Sequence, residues 1–350
     1  MSINLANNQK NVFVLITYLW NHLEGKRKKQ CKILLSLIIL STFFESLTLA
    51  SAIPFLKVVS NPESLSKLKL FQFLISFLDL SSPDQLTIPI VILFATSVIF
   101  SSLIRIYNIW LGAKLSAEIG TDLSCKTFIN KLYQPYIEHI KSNSSSLIAT
   151  NATQITVVVD IITSTIRFLS SALVVISIVT LMTFFDIVST ISAVLIFLLC
   201  YLTIISRSKK RLDINSKIFE KETKKQVKII QEGLGSIRDI IINSDQKIYQ
   251  NLYKKTEFNI RRSQALSNYL TTYPKYFIEG ISLVFISLLA LLMKYRFANI
   301  DIITTLGTLA FSAQKLLPAM QQTYGNWAYI RGSKAALINV LNLLDEPISK

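Results

Sequence analysis

Charge is scarce in this chain. Asp, Glu, Lys and Arg make up 17% of its 350 residues, against roughly 25% in soluble domains. That shortfall, with a mean hydropathy of +0.45, makes an integral membrane protein the default reading. Cysteine is scarce too. Cys31, Cys125 and Cys200 stand far apart, which excludes a disulfide framework and any metal-ligand spacing. The two histidines, His22 and His139, are isolated and read as solvated. The first residues are too polar for a cleavable signal peptide. No constellation of catalytic residues stands out.

What the chain does have is long apolar runs. Ile33 to Leu56 carries one charge, Glu45, and Thr87 to Ile104 carries none. Phe168 to Ile205 carries only Asp186, Phe277 to Met293 only Glu279, and Ile302 to Met320 only Lys315. A helix needs roughly 20 apolar residues to cross a bilayer core. The Phe168–Ile205 run is about twice that, so it reads as two spans joined by a tight turn at Phe185-Asp186. The expected total is six spans.

Basic residues set the expected orientation. Lys26, Arg27, Lys28, Lys29 and Lys32 precede the first run, and Arg207, Lys209, Lys210 and Arg211 follow the fourth. Arg261 and Arg262 precede the fifth. Both termini are therefore expected in the cytoplasm, in a bacterial-type inner membrane. The net charge of +16 is mostly this bias. It does not imply a nucleic-acid partner, because the basic residues flank spans and lack interleaved surface aromatics.

"VFVLITYLW" (Val12 to Trp20) is too short to span. It is either an interfacial helix on the inner surface or an amphipathic helix packed on protein. Two long segments, from about Leu111 to Thr165 and from about Arg207 to Tyr269, are poor in proline and glycine and keep helical spacing. They read as membrane helices extended into the cytoplasm as hairpins. Their turns are expected at Tyr133–Ser146, where Pro135 and a Ser/Asn run end a helix, and at Gly233–Gln246. "KLKLFQFLISFLDL" (Lys67 to Leu80) repeats apolar residues at i, i+3, i+4, i+7 and i+8, which predicts an amphipathic helix on the outer surface. The sequons at Asn143 and Asn151 fall on the cytoplasmic side and are discounted.

This layout resembles the transmembrane domain of ABC exporters of the MsbA type. "QEGLGSIRDIIINSDQKIYQNLYKK" (Gln231 to Lys255) and "KLYQPYIEHIKSNSSSLIATNATQI" (Lys131 to Ile155) are similar to that family's two cytoplasmic coupling loops. "FFESLTLASAIPFL", "YPKYFIEG" and "QKLLPA" are similar to segments of its PglK-type flippases for lipid-linked oligosaccharides. The resemblance implies an all-α polytopic fold with six transmembrane helices and long cytoplasmic extensions. Residues 1–30 would be an N-terminus with an elbow helix, 31–345 the transmembrane domain, and 346–350 the start of a linker. It also implies a homodimer, a lipid-type cargo, and coupling through Pro135, Tyr136, Glu138, Ile237, Arg238 and Asp239. Those flippases carry cavity arginines at the positions of Arg105, Lys275 and Lys315. A lysine keeps the charge and loses the bidentate fork. The chain carries neither G-x-x-x-x-G-K-[ST] nor an LSGGQ-like signature. ATP and Mg are thus implied on a nucleotide-binding ATPase domain that is a separate chain or was lost by truncation, with no cofactor on this chain.

The charges inside the runs admit two readings. Counted from the outer ends of their runs, Arg105 is roughly 30 Å deep and Lys315 roughly 20 Å deep. Lys275 stands beside Pro274 at the inner start of its own run. All three cations reach the inner-leaflet level, where they form either a cationic belt for a lipid phosphate or a set of lysines and arginines that snorkel to the interface. Glu45 and Glu279 are expected to be buried carboxylates with partners, Lys275 or Lys315 being candidates. A proton-coupled role for them would mean a secondary transporter. The same layout would also suit a peptide or drug exporter, or a non-transporting membrane scaffold that has lost its ATPase domain.

Overall fold

The computed structural model describes residues 12–60, 87–137, 153–185, 187–296 and 302–345, and every regular element among them is helical. In chain order these are α1 (Val12–His22), α2 (Gly25–Ser60), α3 (Thr87–Leu132), α4 (Ile155–Phe185) and α5 (Ile187–Gly235), then α6 (Ile237–Ile242), α7 (Gln246–Arg296), α8 (Ile302–Gly332) and α9 (Lys334–Leu344). The outer-surface helix expected at Lys67–Leu80, the sequons and the linker at 346–350 lie outside the described residues.

The expected six spans are corrected. Among the described residues, three helical stretches are long and apolar enough to cross a membrane: Gly25–Ala52, Thr87–Leu132 and Ile155–Phe184. The other apolar runs do not stand as separate helices. Two are the ends of α5 and α7, helices of 49 and 51 residues that are otherwise rich in charge. The last lies in α8, where Gln314 and Lys315 interrupt it and Gln321 and Gln322 follow it.

The helices pack in three antiparallel pairs, α2 with α3, α4 with α8, and α5 with α7. The first pair is pinned along its length. Arg27 meets Glu118 and Asp122 at one end, Glu45 meets Arg105 midway, and Phe55 stacks on Phe94 at the other end with centroids 4.9 Å apart. Gly120 lets α3 approach α4, since a Cβ there would overlap Val159 Cγ2. The α5–α7 pair is held by polar contacts. Asn215 Nδ2 donates to Ser263 O at 2.7 Å, and Asn259 Nδ2 donates to Glu222 at 3.2 Å.

One end of the bundle is a hub built on α9. Leu337, Val340 and Leu341 are fully buried there together with Leu15, Leu19, Ile119 and Val158. Burying such side chains contributes about 1.5–3 kcal/mol each. So α1 packs on protein through Val12, Leu15 and Leu19, while Phe13 and Val14 stay exposed. Around this core, Tyr18 and His22 both bond Asp345, and Asn339 donates to Glu220 at 2.8 Å. Arg331, 7% exposed, bonds Asp213 at 2.5 Å. Burial lowers the pKa of the neighbouring Lys334 ammonium, because a charge is poorly solvated there. The His22–Asp345 contact brings the two ends of the described chain together.

Candidate functional site

Three helices each turn one narrow polar face toward a common space. On α3 the face is Arg105, Asn108, Ile109 and Gly112; on α4 it is Thr163, Ile166, Arg167 and Ser170. Both follow i, i+3, i+4, i+7, the spacing that stacks residues on one side of a helix. On α8 it is Gln322, Gly325 and Asn326, and α2 closes the space with Ile38 and Ser41. The cavity so formed has a volume of 350 Å³. Two of its lining residues are cationic and none is acidic.

The two arginines differ in their surroundings. Arg105 Nη1 lies 3.2 Å from Oε1 of Glu45, whose side chain is 6% exposed against 47% for Arg105. The pair neutralises a carboxylate that would otherwise be buried alone. Arg167 is exposed and makes no hydrogen bond or ion pair among the described residues. Asn108, 8% exposed, donates from Nδ2 to Leu37 O at 3.2 Å, while its Oδ1 has no partner. The wall thus holds a guanidinium with donors to spare, which suits an anionic group.

Of the expected belt, Arg105 lines this cavity, whereas Lys275 and Lys315 are not among its lining residues. Lys275 is exposed on α7, with Nζ 5.7 Å from the centroid of the Tyr276 ring. Lys315 is half-buried on α8, next to Leu316, which is buried with Leu49, Val174, Ile178 and Ala319. Glu45 is buried and its partner is Arg105 rather than a lysine, while Glu279 is exposed. Pro274 and Pro318 lie within α7 and α8, and neither helix ends there.

At the far end of the α5–α7 hairpin, α6 carries Ile237, Arg238 and Asp239, all exposed. The turn into α7 is closed by Ser244 in the left-handed region, at φ 58°, and by Asp245 N donating to Ile240 O at 3.0 Å. A 900 Å³ groove runs beside α6, walled by Ile230, Leu234, Ile237, Tyr249, Tyr253 and Phe258 among others. Pro135 and Tyr136 are exposed just after α3, and Glu138 lies outside the described residues.

Sequence reasoning missed Arg167, Asn108, Gln322 and Asn326. Arg167 falls one residue before an apolar run and reads there as its flank. The signal was present in the spacing: Arg105 with Asn108 is a polar pair at i, i+3 just past an apolar run, and Gln322 with Asn326 is a polar pair at i, i+4 after another.

Compared with protein-family models and with curated proteins, the chain matches none of either.

Proposed function

We propose that this chain is the membrane-embedded part of an ATP-driven transporter whose cargo is a lipid-linked molecule bearing phosphate. The observation that carries the reading is the cavity with Arg105 and Arg167 on its wall, lined by α8 together with α2, α3 and α4, the three helices long and apolar enough to cross a membrane. Intramembrane arginines facing a shared cavity usually mark a substrate path. Arginine pairs with phosphate through two parallel charge-assisted hydrogen bonds. Lys275 and Lys315 lie off this cavity, and in this reading they are cationic contacts elsewhere on the cargo's path.

The energy source in this reading is a nucleotide-binding ATPase domain, which holds ATP and Mg. It docks on the exposed residues Pro135, Tyr136, Ile237, Arg238 and Asp239 and on Glu138, which follows the first two in sequence, with a second copy of the chain completing a homodimer. The exposed apolar groove beside α6 supports a docking role for that end, since large exposed apolar patches mark interaction sites.

Reconstitution with the partner ATPase tests this. Arg105→Ala and Arg167→Ala should each reduce cargo-stimulated ATP hydrolysis by about tenfold and leave the basal rate within about twofold, one lost charge-assisted contact being worth about 1.5–3 kcal/mol. Equal losses of both rates would assign the arginines a structural role. Crosslinks from Ile237 that never reach an ATPase domain would remove the proposed motor.

A further inference from the structure

All three carboxylates of the α2–α3 pair are taken. Arg27 holds Glu118 and Asp122, and Arg105 holds Glu45. Lysines are left over. Lys32 on α2 and Lys114 on α3 are exposed and make no ion pair among the described residues. The register sets these two at one level. A Cβ at Gly112 would lie 3.9 Å from Leu34 Cδ2, so these residues face each other across the antiparallel pair. Lys32 and Lys114 each stand two residues from that contact, on the hub side.

On the other side of the same level the exposed surface turns apolar. Ile33, Leu40 and Phe43 are exposed on α2, and Leu103, Ile106 and Trp110 on α3. They lie inside the membrane-length stretches Gly25–Ala52 and Thr87–Leu132. Trp110 is 55% exposed, and Lys114 Nζ lies 5.3 Å from its ring centroid. A tryptophan and a lysine closing an exposed apolar stripe belong at the headgroup level, where the ring is half in lipid and the ammonium reaches water. The third membrane-length helix agrees. The Gly112 Cβ position is 3.4 Å from Ile166 Cγ2 on α4, and the next residue, Arg167, is the last charge before the apolar run that starts at Phe168.

We propose that this outer face of the α2–α3 pair binds an anionic phospholipid, its phosphodiester at Lys32 and Lys114 and its acyl chains along the exposed apolar residues. Charge names the ligand. Two cations with no carboxylate left to neutralise them attract a lipid of net negative charge over a zwitterionic one. Each ammonium donates charge-assisted hydrogen bonds to phosphate oxygen. Neither lysine lines the cavity that holds Arg105 and Arg167, so this lipid is distinct from the proposed cargo. The site needs α2 and α3 in a bilayer and does not depend on transport.

Trp110 reads its lipid neighbours. The full chain carrying Trp20→Phe and Trp327→Phe retains Trp110 as its single tryptophan. It is reconstituted in unbrominated phosphatidylcholine with a minor fraction of dibrominated phosphatidylglycerol or, in parallel, of dibrominated phosphatidylcholine. At equal mole fraction the phosphatidylglycerol should quench Trp110 about three- to tenfold more effectively, since each lysine near the surface adds attraction for an anionic lipid. Raising the ionic strength should shrink the difference. Lys32→Gln/Lys114→Gln should bring the two lipids within about twofold of each other. It should leave quenching by phosphatidylcholine as it was, because Trp110 still faces lipid. Arg167→Gln should change neither. Equal quenching by the two lipids in the parent chain overturns the proposal, and quenching by neither overturns it by taking Trp110 out of the bilayer. A preference that survives the double lysine variant overturns it as well, and its loss in Arg167→Gln would assign the lipid to the cavity.

Discussion

Arg105 and Glu45 are 60 residues apart in sequence and 3.2 Å apart in space, and the carboxylate is the deeper of the two. Breaking a fully buried pair costs about 3–5 kcal/mol. Arg105 is half exposed, so Arg105→Ala should cost less, about 1–2 kcal/mol. The loss should come from Glu45 stranded without a partner. The double variant Arg105→Ala/Glu45→Gln should therefore regain most of the unfolding temperature lost by the single one. An additive or larger loss in the double variant would show that the two side chains do not stabilise one another.

Gly120 makes a prediction about packing. A methyl group there would overlap Val159 across the α3–α4 contact, and overpacking costs about 1–3 kcal/mol. Gly120→Ala should lower the unfolding temperature, while Gly235→Ala, with open space around its Cβ, should not. Equal behaviour of the two would mean that α3 and α4 do not approach at Gly120.

The hub around α9 should fail in alkali. Bonding to Asp345 and burial both raise the Tyr18 pKa above its usual 10.0. Burial, then the charge and hydrogen bond of Asp160, raise that of Tyr329. A group whose pKa is raised on folding holds its proton longer in the folded state. Its contribution is complete below the unfolded value of about 10 and is lost as pH rises above it. Thermal unfolding followed from pH 8 to 11 should show a falling midpoint above about pH 10. Tyr18→Phe/Tyr329→Phe should flatten that fall, and a profile unchanged by the double variant would place the alkaline transition elsewhere.

Cysteine labelling tests sidedness. Cys125 is exposed on α3, and Ser244 is exposed at the hairpin tip. With an impermeant maleimide in sealed vesicles, Cys125 and an introduced Ser244→Cys should react from the same face. Labelling of the two from opposite faces would contradict an arrangement in which both helical extensions leave the membrane together.

Local features were readable because the side chains that decide them are neighbours in the chain. Gly233 and Gly235 marked the break before α6, α4 ends at Phe185 and α5 starts at Ile187 on either side of the expected turn, and Pro135 lies just past the end of α3. The α1 face was legible as amphipathic, but the protein surface that buries Val12, Leu15 and Leu19 was not. That surface includes α9, more than 300 residues away, as the 327-residue separation of Tyr18 and Asp345 shows. Of the six expected spans, three stretches among the described residues have the length and apolar character to cross a membrane; the apolar runs in α5 and α7 are shorter parts of helices of 49 and 51 residues. The Glu45–Arg105 pair and the facing of Arg167 depend on how α2, α3 and α4 rotate about their axes. No short window of sequence records that.

Length gives α5 a mechanical property. The hub holds it from Asp213, bonded by Arg331, to Glu220, bonded by Asn339, while its exposed tip begins after Gly235. The arm beyond Glu220 is roughly 22 Å, at about 1.5 Å per residue. A swing of about 10° at Glu220 carries the tip roughly 4 Å, most of one helical turn of travel. The α5–α7 hairpin is thus a lever with its fulcrum in the hub. A tilt too small to disturb the packing around Arg331 becomes, at Ile237, a displacement as large as a side chain.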